Sequence, residues 1–205
     1  MLQINKLIFK WPNSIKIEVN LEASAGKIVL INGPSGIGKT TLFNIISGFY
    51  EPVSGSVTFK GKNLLVIPPW NRPVSTMFQS DNLFPHLSIR QNLMLGLKNF
   101  SKDIENQLNF LKIFSLIDRN SSELSGGELQ RVALIKTLSR EKPIILLDEP
   151  FSALDKDMVK KACIIIQEYT KRMNSITLII SHQDAGAYLE INQKIQLGEN
   201  FKKCK

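Results

Sequence analysis

Gly33-Pro34-Ser35-Gly36-Ile37-Gly38-Lys39-Thr40 satisfies the pattern G-x-x-x-x-G-K-[ST] and follows a strand-like apolar run from Lys27 to Asn32. Strand, glycine-rich turn and helix in that order predict a backbone that curls its N–H groups around phosphate oxygens. The helix expected from Lys39 through Ile46 adds the positive end of its dipole. Lys39 supplies a point charge for β- and γ-phosphates, and the candidate cradle is Gly33, Pro34, Ser35, Gly36, Ile37, Gly38, Lys39, Thr40 and Thr41. The Thr40 hydroxyl suits Mg²⁺, a hard cation that takes oxygen ligands and keeps several waters. A plain Gly/Pro turn would meet the spacing, but it would not need the strand before it and the helix after it. The stretch therefore predicts binding of a nucleoside triphosphate.

A second stretch, Ile144-Ile145-Leu146-Leu147-Asp148-Glu149, is a buried-strand run that delivers two carboxylates at its end. Asp148 is expected to hold Mg²⁺ through its water shell, and Glu149 to polarise a water attacking the γ-phosphate. An apolar strand ending in acids before Pro150 is, alone, just as often a solvated strand end. Combined with Lys39 it reads as a catalytic pair.

A third stretch, Leu124-Ser125-Gly126-Gly127-Glu128-Leu129-Gln130-Arg131, opens a helix running towards Arg140. Ser125 with Glu128 three positions on is a capping box that any helix can use. Paired glycines are another matter, since each costs about 1 kcal/mol relative to Ala inside a helix. Gly126 and Gly127 therefore predict that something approaches this backbone closely, at a helix start suited to anions.

Together these stretches resemble the ATPase subunits of the ATP-binding cassette (ABC) transporter family. The resemblance implies an α/β fold of the P-loop NTPase type: a RecA-like parallel sheet with helices, an N-terminal antiparallel β subdomain and an inserted α-helical subdomain. It implies ATP and Mg²⁺ as ligands and a homodimer in which Ser125, Gly126, Gly127 and Glu128 close over the nucleotide held by the other copy. It also implies an integral membrane permease as partner, and a periplasmic or extracellular solute-binding protein acting through that permease.

Further positions match the cassette pattern one by one. Gln79 resembles the glutamine that senses Mg²⁺. Asp155, in Ser152-Ala153-Leu154-Asp155, resembles the dimer-crossing loop, and His182, after another apolar strand, resembles the histidine that contacts the γ-phosphate. Trp11 is the candidate adenine-stacking ring, with Phe9 or Tyr50 as substitutes. The implied catalytic set is Glu149, His182 and Lys39, and the implied metal set is Thr40, Gln79 and Asp148.

The 205 residues suit one such unit. Residues of about 1–80 and 138–205 are expected to form the nucleotide-binding core, and about 81–137 a mainly helical insert facing the permease. In that insert Ile104, Leu108, Leu111 and Phe114 or Ser115 mark one face of a helix starting near Ser101. Asp155 to Met173 carries apolar residues at Met158, Ala162, Ile165, Ile166 and Tyr169, which predicts another helix. A short helix at Asp184 to Glu190 and a strand around Lys194 to Leu197 are expected to follow.

No apolar run reaches the roughly eighteen residues of a membrane span. The N-terminus lacks the pattern of a signal peptide, so a peripheral location on the cytoplasmic face of the membrane is expected. Cys163 and Cys204 have neither C-x-x-C nor metal spacing and read as reduced thiols. The net charge of +8 is spread in small lysine clusters with no aromatic-laced basic stripe, so no nucleic-acid partner is expected. A cassette ATPase acting on DNA or ribosomes is the alternative from another class, although those relatives carry two cassettes or long coiled-coil inserts. Within the family, Pro68-Pro69, Arg72-Pro73-Val74-Ser75, Asn82-Leu83-Phe84, Gln91-Asn92 and Leu95-Gly96-Leu97 are most similar to the ATPase subunits of bacterial thiamine importers. Import of ferric ion, polyamine or another small solute is the alternative within transport.

Overall fold

Hydrophobic alternation and continuous apolar runs divide the strands into two kinds, and each kind builds its own sheet. The computed structural model describes residues 1–10, 16–97, 99–182 and 187–197. Its elements are β1 (Leu2–Lys10), β2 (Lys16–Ala23), β3 (Ile28–Asn32), α1 (Lys39–Ser47), β4 (Ser54–Phe59), β5 (Lys62–Asn63), β6 (Val74–Met77), α2 (Ile89–Met94), α3 (Lys102–Phe110), α4 (Gly126–Leu138), β7 (Ile144–Asp148), α5 (Lys156–Arg172), β8 (Ile176–Ile180) and β9 (Gln193–Gln196).

In β2, burial alternates strictly, with Ile17, Val19, Leu21 and Ala23 inward, as a half-solvated antiparallel strand requires. It joins an antiparallel sheet of order β2-β1-β4-β5. By contrast, every residue of β7 and β8 is buried, the mark of a parallel strand covered on both faces. These two lie inside the parallel sheet β6-β7-β8-β3-β9. The two-residue period splits their side chains between two apolar clusters. Ile145, Leu147 and Ile179 face the helices α2 to α5, whereas Ile144, Leu146, Leu178 and Ile180 face α1 and the antiparallel sheet.

Register sets the ends of the strands level. Ile31 lies opposite Ile180, Ile180 opposite Asp148, and Met77 opposite Leu147. The segments that leave β3, β6, β7 and β8 therefore emerge along one edge, the carboxyl edge where open α/β sheets place their ligands.

α1 ends at Gly48, whose left-handed φ of 95° lets its N–H cap the carbonyls of Asn44 and Ile45. Arg72, only 6% exposed, seals the same helix end by donating from one guanidinium nitrogen to Ile45 O at 2.6 Å and Ile46 O at 2.9 Å. Its Nε donates to Ile67 O at 2.8 Å.

Between residues 81 and 137 helix is interrupted more than the sequence predicts. α3 starts at its Ser101 cap and buries Ile104 and Leu108, with Leu111 also buried, but it ends at Phe110. Lys112 adopts a φ of 56°, and Phe114 belongs to a separate 3₁₀ turn rather than to the same helical face. α5 follows expectation, with Asp155 as its N-cap and Met158, Ala162, Ile165, Ile166 and Tyr169 buried. The expected short helix after Asp184 falls partly on positions outside the described residues.

Candidate functional site

The segments leaving the carboxyl edge enclose a cleft of about 720 Å³ lined by Ser35, Gly36, Gly38, Lys39, Thr40, Thr41, Gln79, Asp148, Glu149, Ser152, Ile180 and His182. Residues far apart in the chain meet there because each follows a neighbouring parallel strand.

The loop from Gly33 to Gly38 turns through left-handed backbone at Gly36 (φ 76°) and Gly38 (φ 94°). Gly38 has a second constraint, because a Cβ there would lie 2.7 Å from the Phe9 ring. Phe9 is fully buried beneath the loop and is thereby removed as a substitute adenine platform. Tyr50 is 37% exposed and donates its hydroxyl to Lys10 O at 2.9 Å. Trp11 lies outside the described residues.

The Lys39 ammonium donates to Gly33 O at 2.7 Å and Pro34 O at 3.0 Å, so Gly33 and Pro34 serve the site through their carbonyls rather than as cleft wall. Burial pushes the Lys39 pKa down, opposed by the charges of Glu149 and Asp148. Ile37 packs against the apolar cluster beneath the loop, and Thr41 is buried at 4% exposure within α1.

Asp148 is 2% exposed, and burial raises its pKa against a hydrogen bond from Thr40 and the charge of Lys39. Its Oδ2 has no hydrogen-bond partner. A buried carboxylate oxygen left open beside a lysine and a hydroxyl fits a cation ligand. Gln79 is exposed and lines the same cleft as Thr40 and Asp148. Among the described residues no cluster of three or more His, Cys, Asp or Glu could hold a metal. The donors here thus fit Mg²⁺ shared with phosphate and water oxygens rather than an all-protein cage.

Glu149 takes a φ of 50°, in the left-handed region that L side chains rarely adopt. His182 N donates to its Oε2 at 3.2 Å. The His182 ring Nε2 comes within 3.4 Å of Oε1 without closing a hydrogen bond, which leaves that oxygen buried and open.

The Ser125 region lies elsewhere. Ser125 caps α4 and exchanges hydrogen bonds with Glu128: Ser125 N donates to Oε2 at 2.8 Å and its hydroxyl at 2.7 Å. Those contacts hold the Glu128 carboxyl below the usual range. None of Ser125, Gly126, Gly127, Glu128 and Asp155 lines the 720 Å³ cleft of its own chain. The paired glycines differ from each other. A Cβ on Gly127 would stand 2.9 Å from Ala153 O, so its close neighbour is this chain's own backbone. On Gly126 a Cβ would meet only Ala153 Cβ at 3.8 Å, and that residue is exposed.

Three residues to which the sequence assigns no role of their own brace the site. Asn82 clasps the backbone before Gln79, accepting from Phe78 N at 2.8 Å and donating to Phe78 O at 2.6 Å. Lys136, in α4, donates to Asn82 O at 2.8 Å and lies 5.2 Å from the Phe84 ring centre. Gln130 joins α4 to the loop after β7. They share no sequence signal: Asn82 lies in the loop after β6, Gln130 in the partly exposed first turns of α4, and only Lys136 stands among buried residues of its helix.

The ABC transporter family profile matches residues 17–152. The chain belongs to the ABC transporter family. The thiamine import ATP-binding protein ThiQ of Aliivibrio fischeri is 38% identical over 196 residues, spanning 91% of this chain and 83% of the relative. The protein of that name from Haemophilus influenzae is 38% identical over 200 residues, spanning 94% and 93%. Among solved structures, the dimeric structure of a bacterial ABC transporter cassette superposes with a TM-score of 0.82 at 25% identity, covering 96% of this chain and 94% of that one. The fold is thus that of the ABC ATPases, and this ABC ATPase has, among its described residues, no helix long and apolar enough to cross a membrane.

Proposed function

We propose that the chain is the ATP-hydrolysing subunit of a bacterial thiamine importer, acting as a homodimer on the cytoplasmic face of the membrane. The observation that carries the reading is the meeting of Lys39, Asp148, Glu149 and His182 in one cleft, in a chain 38% identical to thiamine import ATPases along most of its length.

In this reading ATP lays its phosphates in the Gly33–Thr41 loop. Lys39 meets the β- and γ-phosphates, its ammonium already oriented by Gly33 O and Pro34 O. Thr40, Asp148 and Gln79 would hold Mg²⁺, which would neutralise negative charge on the phosphates. Glu149 presents its open Oε1 to the attacking water and takes its proton, while His182 stands beside it to steady the γ-phosphate. The exposed Ser125 and Gly126 close over the nucleotide of the partner subunit, and Asp155 lies in the loop that crosses the dimer. ATP drives closure because it binds the closed pair more tightly than the open one. The segment 81–137, with Phe84 half exposed, faces the permease; a solute-binding protein delivers thiamine from outside.

Uptake of labelled thiamine in a strain lacking this chain, complemented by the native sequence or by Lys39→Ala, tests the reading. Restoration by the native chain alone is the expected result. Thiamine uptake that survives the deletion, with loss of ferric-ion or polyamine uptake instead, would move the assignment to that solute.

A further inference from the structure

Glu149 is gripped on both sides of an unfavourable backbone conformation. Its N–H donates to Ile180 O at 2.9 Å, tying it to β8. Its carbonyl is held from the opposite side by Gln130 Nε2 at 2.7 Å and by the Ser152 hydroxyl at 3.2 Å. The same Nε2 donates to Ser152 Oγ at 2.9 Å, and Gln130 Oε1 accepts from Ala153 N at 2.8 Å. Because Ala153 N can only donate and Glu149 O can only accept, the amide has one permitted orientation. Both its protons and its carbonyl are committed to the loop of residues 149–153. With φ at 50°, Glu149 keeps this geometry only while the surroundings enforce it. A relaxed backbone would swing the carboxylate away from His182 N.

We propose that Gln130 is a positioning residue for ATP hydrolysis, holding the left-handed turn at Glu149 that aims its carboxylate into the cleft. The inference rests on the reading of Glu149 as the group that polarises the attacking water. Gln130 itself does not line the nucleotide cleft. Its loss therefore acts on the chemical step and spares the binding of ATP.

The test compares Gln130→Leu and Gln130→Glu with the native chain, alone and in the Glu149→Gln background, by steady-state and single-turnover ATP hydrolysis. Gln130→Leu removes the whole clasp, and Gln130→Glu removes the donor while keeping an acceptor for Ala153 N. The expected result is a fall in kcat of about tenfold to hundredfold with KM for ATP held within about twofold, the scale seen when a supporting residue behind a reactive group is removed. In the Glu149→Gln background the same substitutions should cause no further fall, since the carboxylate they position is already gone. If Gln130→Leu fails to fold, Gln130→Glu carries the test. Native kcat in the folded variants, or an equal fall added to that of Glu149→Gln, overturns the inference. Native hydrolysis by Glu149→Gln alone overturns the reading of Glu149 and the inference with it, and that outcome is visible without any Gln130 variant.

Discussion

Replacing Gly126 and Gly127 separately by Ala separates two reasons for having glycine at the start of α4. At Gly127 the new Cβ would stand 2.9 Å from the Ala153 carbonyl oxygen, a separation that real Cβ atoms do not tolerate. That carbonyl cannot retreat freely, because Ala153 N is bonded to Gln130 at 2.8 Å. The overpacking cost is about 1–3 kcal/mol. At Gly126 the new Cβ would make an ordinary contact at 3.8 Å. Both positions lie in the same helical turn, so the gain in helix propensity, up to about 1 kcal/mol, is similar in each and cancels in the comparison. Gly127→Ala should therefore unfold about 2–12 °C below Gly126→Ala, a chain of this length shifting by about 2–4 °C per kcal/mol. Thermal unfolding followed by circular dichroism on the isolated chains measures the difference. Function should sort the other way: Gly126→Ala folds at least as well as the native chain but loses ATP-driven pairing, scored by gel filtration in the Glu149→Gln background. Equal melting of the two variants would refute the steric argument. A Gly126→Ala chain that pairs and hydrolyses normally would refute the assignment of Gly126 to close approach by the partner subunit.

Arg72→Ala removes three hydrogen bonds, given by two guanidinium nitrogens to the end of α1 and to Ile67, and should lower stability by about 3 kcal/mol in urea unfolding; a change under about 1 kcal/mol would show the seal to be dispensable. Burial lowers the Lys136 pKa to about 8 from 10.5, so between those values the unfolded chain binds the proton that the folded one has released, and this group makes stability rise with pH. Cys163, raised to about 12 from 9.0, acts in the opposite direction above pH 9. The stability of the native chain relative to Lys136→Met should therefore increase from pH 8 to 9, and urea midpoints that move in parallel would count against a desolvated ammonium at Lys136. In a Cys204→Ser chain, buried Cys163 should resist alkylation at pH 8 until urea unfolds the protein; rapid labelling under native conditions would contradict its burial.

Much of the site was legible because its information is local. The loop Gly33–Thr40 needs only a strand before and a helix after it, and β3 and α1 supply both. Ser125 and Glu128 meet within one helical turn, so their spacing predicts the capping box that forms. The face of α5 follows from a 3.6-residue period, which brings Met158, Ala162 and Ile165 to one side without reference to anything else in the chain. The break after Phe110 was not legible, because Leu111 continues the apolar spacing and only the left-handed Lys112 turns the chain away.

The sequence by itself determined the nucleotide loop, the acidic strand end, the cap of α4 and the buried face of α5, since each depends on residues within a few positions of one another, and the first three stretches together carry the likeness to the ABC transporter family. Only the tertiary structure decided which glycine is crowded by its own chain, that Phe9 lies beneath the loop, and that Gln130 grips Glu149 across 19 positions. Those features arise where one element packs on another. Period and spacing report which face of an element is buried, but the partner that meets it is set by strand order and register, and here these bring β3, β7 and β8 level at a single edge.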